Sequence, residues 1–222
     1  MIPFVDIHTH FSKIDENVIS IQNFTQNEWE NPLFTEGGQF ASVGLHPWFL
    51  TKENSEKDLL TLTELIENQN IIAIGECGLD KLKGDNLEIQ KTYFAAQIRL
   101  AESVQKPVII HCVRAFNEVI ALKKKLKPTV PMIVHGFNKN ETILKELLKN
   151  GFYISIGAAI LRGGIFSKSL IQMPMERLFF ETDDKDMDVQ QVYEAYSETA
   201  NIDLSNLKSM IYENLERTFR KL

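Results

Sequence analysis

The chain has 222 residues, a hydrophobic fraction of 44% and a formal net charge of −6; that length allows one core, and α/β barrels of this size form single domains, here residues 1–222. The acidic balance argues against tight non-specific binding to nucleic acid or an anionic membrane, but leaves room for a polyanionic substrate held through metal ions. Two cysteines, Cys77 and Cys112, without a C-x-x-C pair argue against a disulfide scaffold, and the lack of a signal-peptide pattern or an apolar run near ~20 residues points to a cytoplasmic protein off the membrane.

Short apolar, β-prone runs predict strands near 3–7, 18–22, 40–45, 71–74, 108–110, 132–134, 152–156 and 178–180. They are mostly continuous rather than alternating, as expected of parallel strands buried on both faces. Helical patterns fill most of the gaps. Ser55-x-x-Asp58 resembles a capping box ahead of Leu59, Leu62, Leu65 and Ile66. Phe94, Ile98, Ala101 and Val104 form one stripe before Pro107. Phe116, Ile120 and Leu126 mark a helix before Pro128. Ile143, Leu144, Leu147 and Leu148 mark another, with Gly151 suited to its C′ position. Two helices close the chain, near 189–200 and 204–221, the second capped by Asp203 or Ser205. Strand–helix alternation over the whole length predicts a parallel sheet covered by helices, and eight strands favour a TIM-type (β/α)8 barrel. The first two connections are short, so the barrel is shortened at its N-terminal side.

A barrel of this type carries its reactive groups where strands end and βα-loops begin. All five histidines, His8, His10, His46, His111 and His135, close or immediately follow a predicted strand. Glu76 and Asp183 do the same. In the run Asp6-Ile7-His8-Thr9-His10 the period of a strand aims both imidazoles one way. Imidazole nitrogen and carboxylate oxygen are ligands for divalent ions. Strand order suggests His8, His10 and Asp183 for one ion, His111 and His135 for a second, and Glu76 bridging them. Such a pair activates a water and neutralises charge on a substrate. His46, in Gly44-Leu45-His46-Pro47, suits a contact to substrate or to a ligand. Cys77 and Cys112 alternate away from Glu76 and His111 and read as packed small residues. Lys123, Lys124, Lys125 and Lys127 read as a solvated helix face.

The motifs resemble those of the TatD family of metal-dependent hydrolases, within the amidohydrolase-like barrels. Asp6-Ile7-His8-Thr9-His10, Gly44-Leu45-His46-Pro47, Gly75-Glu76-Cys77-Gly78-Leu79-Asp80, Pro107 to Cys112 and Glu181-Thr182-Asp183 stand in the family's order. Gln90, Phe94, Gln97, Leu100, Ala101, Asn214 and Phe219 fall on its helix patterns. The resemblance implies a two-metal hydrolase whose members include deoxyribonucleases, some digesting from 3′ to 5′. It implies His8, His10, Glu76, His111, His135 and Asp183 as ligands, Glu76 and Asp183 as catalytic groups, and His46 and Arg114 as phosphate contacts. The ions expected are Mg, Mn, Zn or Ni. Arg114 stands one place later than the family's arginine, and His135-Gly136-Phe137 and Asp184-Lys185-Asp186 depart from its loops, where specificity resides.

The function expected is therefore metal-dependent hydrolysis of a phosphodiester in DNA, or of another phosphoester, without an obligate protein partner. The rivals are an acyl or amide hydrolase on the same residues and a non-catalytic metal-binding barrel.

Overall fold

The computed structural model describes residues 2–12, 15–30, 40–163 and 173–219. Its strands are β1 (Phe4–Thr9), β2 (Val18–Thr25), β3 (Phe40–Gly44), β4 (Ile71–Asp80), β5 (Val108–Val113), β6 (Met132–Val134), β7 (Tyr153–Ile156) and β8 (Leu178–Phe180). Its α-helices are α1 (Ser55–Leu65), α2 (Leu87–Val104), α3 (Phe116–Leu126), α4 (Glu141–Lys149), α5 (Val189–Ala200) and α6 (Leu204–Thr218). The strands follow one another in the sheet in chain order, and the pairs β1–β2, β3–β4, β4–β5 and β7–β8 are parallel. This is the succession of the (β/α)8 class that the strand–helix alternation predicts. The expected short second connection lies largely outside the described residues, as does the end of the last helix pattern beyond Phe219.

Residues 1–22 and 134–222 make one compact unit. Here Thr9 of β1 bridges in parallel to Asp183, beyond β8, so the first and last strand regions are neighbours. Tyr193 of α5 fastens β1: its hydroxyl accepts the Val5 N–H at 3.0 Å and donates to the Val5 carbonyl at 3.1 Å. Asn214 of α6 donates to the carbonyls of Met175 and Leu178 and so holds the entry to β8. Asp203 caps α6 by accepting from the N–H groups of Ser205 and Asn206. Gly151 follows the C-cap Asn150 of α4 with φ +73°, as its expected C′ position requires.

Residues 23–133 make the second unit. All ten residues of β4 are buried. Phe94, Ile98 and Ala101 turn the buried stripe of α2 inward, and burying a side chain such as Phe94 or Ile98 contributes roughly 1.5–3 kcal/mol. Asn86 caps α2 by accepting from Glu88 and Ile89. The expected capping box of α1 is not formed. Asn54 is the N-cap, and the buried Ser55 hydroxyl instead accepts the Thr51 N–H at 2.9 Å. Ser55 thus ties the incoming loop rather than the helix start. Burial pushes the Cys77 thiol up, in keeping with a packed, unreactive side chain.

Candidate functional site

In the first unit β1 delivers His8, fully buried, and its end delivers His10. Asp183 is locked opposite them by two backbone bonds, its N–H to the His8 carbonyl at 2.9 Å and its carbonyl accepting the His10 N–H at 3.0 Å. Its φ of +55° turns the chain sharply there. The Asp183 Oδ1 lies 3.6 Å from His8 Nε2 and 3.7 Å from His10 Nε2. His135, directly after β6, stacks its ring 4.3 Å from that of His8. His8, His135 and Asp183 each offer a ligand atom, all within 4.8 Å of one another. Two carboxylates brace this group. Asp6 accepts from the Thr182 N–H at 3.1 Å and from its hydroxyl at 2.7 Å, which fixes the turn into Asp183. Burial pushes the Asp6 carboxyl up to about 7, against those bonds from Thr182. Glu181, fully buried, accepts the Gly136 N–H at 2.6 Å and stands 3.5 Å from His135 Nδ1. A carboxylate behind an imidazole sets its orientation and tautomer.

In the second unit the corresponding group is His46, Glu76 and His111, all buried, again with ligand atoms within 4.8 Å. Glu76 sits inside β4, where its N–H donates to the Asn23 side chain at 2.6 Å. The Trp48 N–H donates to His46 Nδ1 at 3.2 Å, so a neutral ring carries its proton on Nε2, 3.2 Å from Glu76 Oε1. His46 therefore orients Glu76. His111, in β5, places Nδ1 2.5 Å from Glu76 Oε1 and Nε2 3.1 Å from Asp80 Oδ2. Asp80 also accepts from the Trp48 indole at 2.6 Å and from the Leu82 and Lys83 N–H groups at 2.7 and 3.1 Å. Burial alone would raise the Asp80 carboxyl; the bonds from Trp48, Leu82 and His111 outweigh it and hold the group below the usual carboxylate range. An ionised Asp80 accepts from His111 Nε2, so a neutral ring keeps Nδ1 for a cation, and without an ion the 2.5 Å contact of Nδ1 with Glu76 Oε1 needs a proton shared between them.

Helix α2 holds this unit's loops through two buried amides. Gln97 accepts the Leu45 N–H at 2.7 Å and donates to the Leu45 carbonyl at 3.2 Å, immediately before His46. Gln90 accepts the Asp80 N–H at 2.7 Å and donates to the carbonyls of Asp80 and Asp85 at 2.9 and 2.8 Å. Gly78 has φ +148°, and a Cβ there would run into the backbone of His111. The Gly75 to Asp80 motif is thus a close-approach device that lets β4 lie against the strand bearing His111.

A family model for TatD-related DNases matches residues 25–220. The chain belongs to that family. Among its relatives is an uncharacterised metal-dependent hydrolase, YabD, of Bacillus subtilis, 30% identical over 82% of this chain and 77% of that protein. The deoxyribonuclease Tat-D of Schizosaccharomyces pombe is 28% identical over 77% of this chain and 59% of its own length. A 3′-5′ ssDNA/RNA exonuclease TatD of Erwinia billingiae is 33% identical over 65% of this chain and 57% of its own. The chain thus spans well under two thirds of the last two. The solved TatD homologue YjjV of Escherichia coli superposes with a TM-score of 0.80 at 22% identity, covering 98% of each chain. The TatD family hydrolase of Entamoeba histolytica superposes with 0.84 at 17% identity, covering 99% of each chain. These likenesses support the fold, and the family makes the chain a metal-dependent hydrolase.

The two donor groups fit divalent ions, because each combines imidazole nitrogen with carboxylate oxygen at coordinating separations. His8 and His10 lie beside Asp183, as strand order suggests, but His111 and His135 are not grouped together. His135 stands with His8 and Asp183, and His111 stands with Glu76 and His46. Arg114 is exposed, with φ +53°, and among the described residues no hydrogen bond or ion pair engages its guanidinium. Asn23, Asp80 and Glu181 were not singled out by sequence reasoning. Asp80 and Glu181 lie inside recognised motifs, so a signal existed, whereas Asn23 lies in β2 with none. Among the described residues no helix is long and apolar enough to cross a membrane.

Proposed function

We propose that the protein hydrolyses phosphodiester bonds of DNA with the help of two divalent metal ions, removing nucleotides from a 3′ end. The observation that carries this reading is two donor groups, each with a buried imidazole and each with a carboxylate. The names of the deoxyribonuclease and exonuclease relatives point the same way. His8, His10, His135 and Asp183 would serve one ion, and Glu76 and His111 the other. Ions so held supply an ionised water near neutral pH and neutralise charge on phosphoryl oxygens.

The chain's own residues do the remaining work. Asp183 keeps about a third of its side chain exposed, so its carboxylate can take the proton of the attacking water. As the oxygen of that water bonds to phosphorus, the phosphorus–oxygen bond to the leaving 3′ oxygen breaks. Arg114 presents a free guanidinium whose planar fork suits two non-bridging phosphate oxygens. His46 holds Glu76 in place and has its proton on the nitrogen that faces it.

The test is a panel of single-stranded DNA, a simple phosphodiester and acyl esters, assayed with Mg²⁺, Mn²⁺, Zn²⁺ or Ni²⁺. Cleavage of DNA and of the simple phosphodiester that disappears with chelator supports the reading. Hydrolysis confined to the acyl compounds would overturn it.

A further inference from the structure

Two large aromatic residues consecutive in sequence, Trp48 and Phe49, reach the surface just after His46, 37% and 38% exposed. Core packing does not account for them. The Phe49 ring is 5.6 Å from the His46 ring, and Trp48 sets its ring edgewise to His46 at 4.8 Å and to His111 at 5.6 Å. Trp48 is also fixed in place, because its indole N–H donates to the buried Asp80 at 2.6 Å. The ammonium of Lys83 lies 3.5 Å from the centre of the indole. Lys83 is itself exposed and, among the described residues, is engaged by no carboxylate.

An indole anchored by its N–H, with the ammonium of an exposed lysine over its face, has the properties of a stacking platform. It is rigid, so little freedom is lost on binding. It is apolar and π-rich, and so accepts any base. A cation waits beside it for a phosphate. We propose that Trp48, with Phe49 beside it, stacks a nucleobase of a single-stranded polynucleotide substrate, and that Lys83 leaves the ring to take that nucleotide's phosphate. The exchange is favourable because a base replaces the ammonium over the ring while the ammonium gains an opposite charge. The proposal rests on the nuclease reading and adds to it that recognition includes the base. An acyl substrate or a small phosphoester would have no use for such a platform.

The experiment compares an end-labelled oligothymidine with an oligomer of the same length built of abasic tetrahydrofuran units. Binding is followed by anisotropy of the label and by quenching of tryptophan fluorescence. Wild-type protein is expected to bind the oligothymidine about tenfold or more tightly than the abasic chain. Trp48→Ala should lose that preference. Trp48→Phe keeps a ring and should retain it, while the saturable quenching seen in wild type disappears. Equal binding of both oligomers by wild type would overturn the proposal, since only the backbone would then be read. So would a preference that survives in Trp48→Ala. If wild type binds neither oligomer yet still cleaves a simple phosphodiester, the polynucleotide reading fails together with the platform. Binding of both oligomers with equal affinity removes the platform alone.

Discussion

Asp80→Asn is a one-atom change that separates the orientation of His111 from its presence. Four donors converge on the Asp80 carboxylate: His111 Nε2 and the Trp48 indole on Oδ2, and the Leu82 and Lys83 N–H groups on Oδ1. An asparagine offers one oxygen and one NH₂ group. Whichever way the amide turns, its NH₂ faces a pair of donors. If it faces Leu82 and Lys83, those N–H groups lose their acceptor in a side chain that is 4% exposed. If it faces His111, Nε2 must accept instead of donate, the neutral imidazole carries its proton on Nδ1, and that nitrogen is closed to a cation. Two orphaned donors cost roughly 2–4 kcal/mol together. Loss of such an orienting carboxylate weakens metal binding about 10–100-fold. Chelator competition gives the affinity, and urea unfolding with metal removed gives the stability. An asparagine variant that binds divalent ions as tightly as wild type would refute the claim that Asp80 sets the state of His111.

Other substitutions probe the scaffold. Gln97→Leu leaves the N–H and carbonyl of Leu45 without their side-chain partner and should cost about 2–5 kcal/mol in urea unfolding; a loss below about 1 kcal/mol would show that this amide does not hold the loop. Gly78→Ala should yield little folded protein, because its Cβ meets the His111 backbone at a φ of +148°; a variant with wild-type melting temperature and metal affinity would contradict the close approach. Glu102 is bonded chiefly by the Thr129 hydroxyl, and by the N–H groups of Thr129 and Val130, which lowers its carboxyl below the ordinary 4.5. Its stabilisation is therefore present above about pH 4.5 and fades as pH falls through the lowered folded value. Glu102→Gln should be about 1 kcal/mol less stable at pH 7, a small figure because the group is solvent-screened, and the gap should close in acid. A gap independent of pH would show that the ionised form is not what matters.

The apolar runs placed every strand because each is a buried, continuous stretch, and the five histidines marked one end of them. The reading lost β4 after Ile74, where Gly75, Glu76 and Gly78 break the apolar pattern. The strand runs on to Asp80 because its polar groups find partners on Asn23 and Gln90. Those partners, like Gln97 for Leu45, are separated in sequence by up to 53 residues, a distance at which periodicity carries no information. For the same reason the nearness of His8 and His10 to Asp183 was legible, while the place of His135 was not. Strand alternation says which way a ring points, and only the packed structure says that His135 lies against His8. Ser55 misled in the opposite sense: its spacing to Asp58 fits a capping box, but the hydroxyl is claimed by Thr51. The Trp48 indole could not be read as more than a surface aromatic until its bond to Asp80 was seen.

The most direct test of the central claim uses a short single-stranded DNA labelled at one end or the other, with purified wild type and Glu76→Ala run side by side in Mg²⁺ or Mn²⁺. Wild type should shorten the DNA stepwise from the 3′ end and the variant should not, with circular dichroism and melting showing both proteins folded. Equal cleavage by the two proteins, or none by wild type with its metals bound, would contradict it.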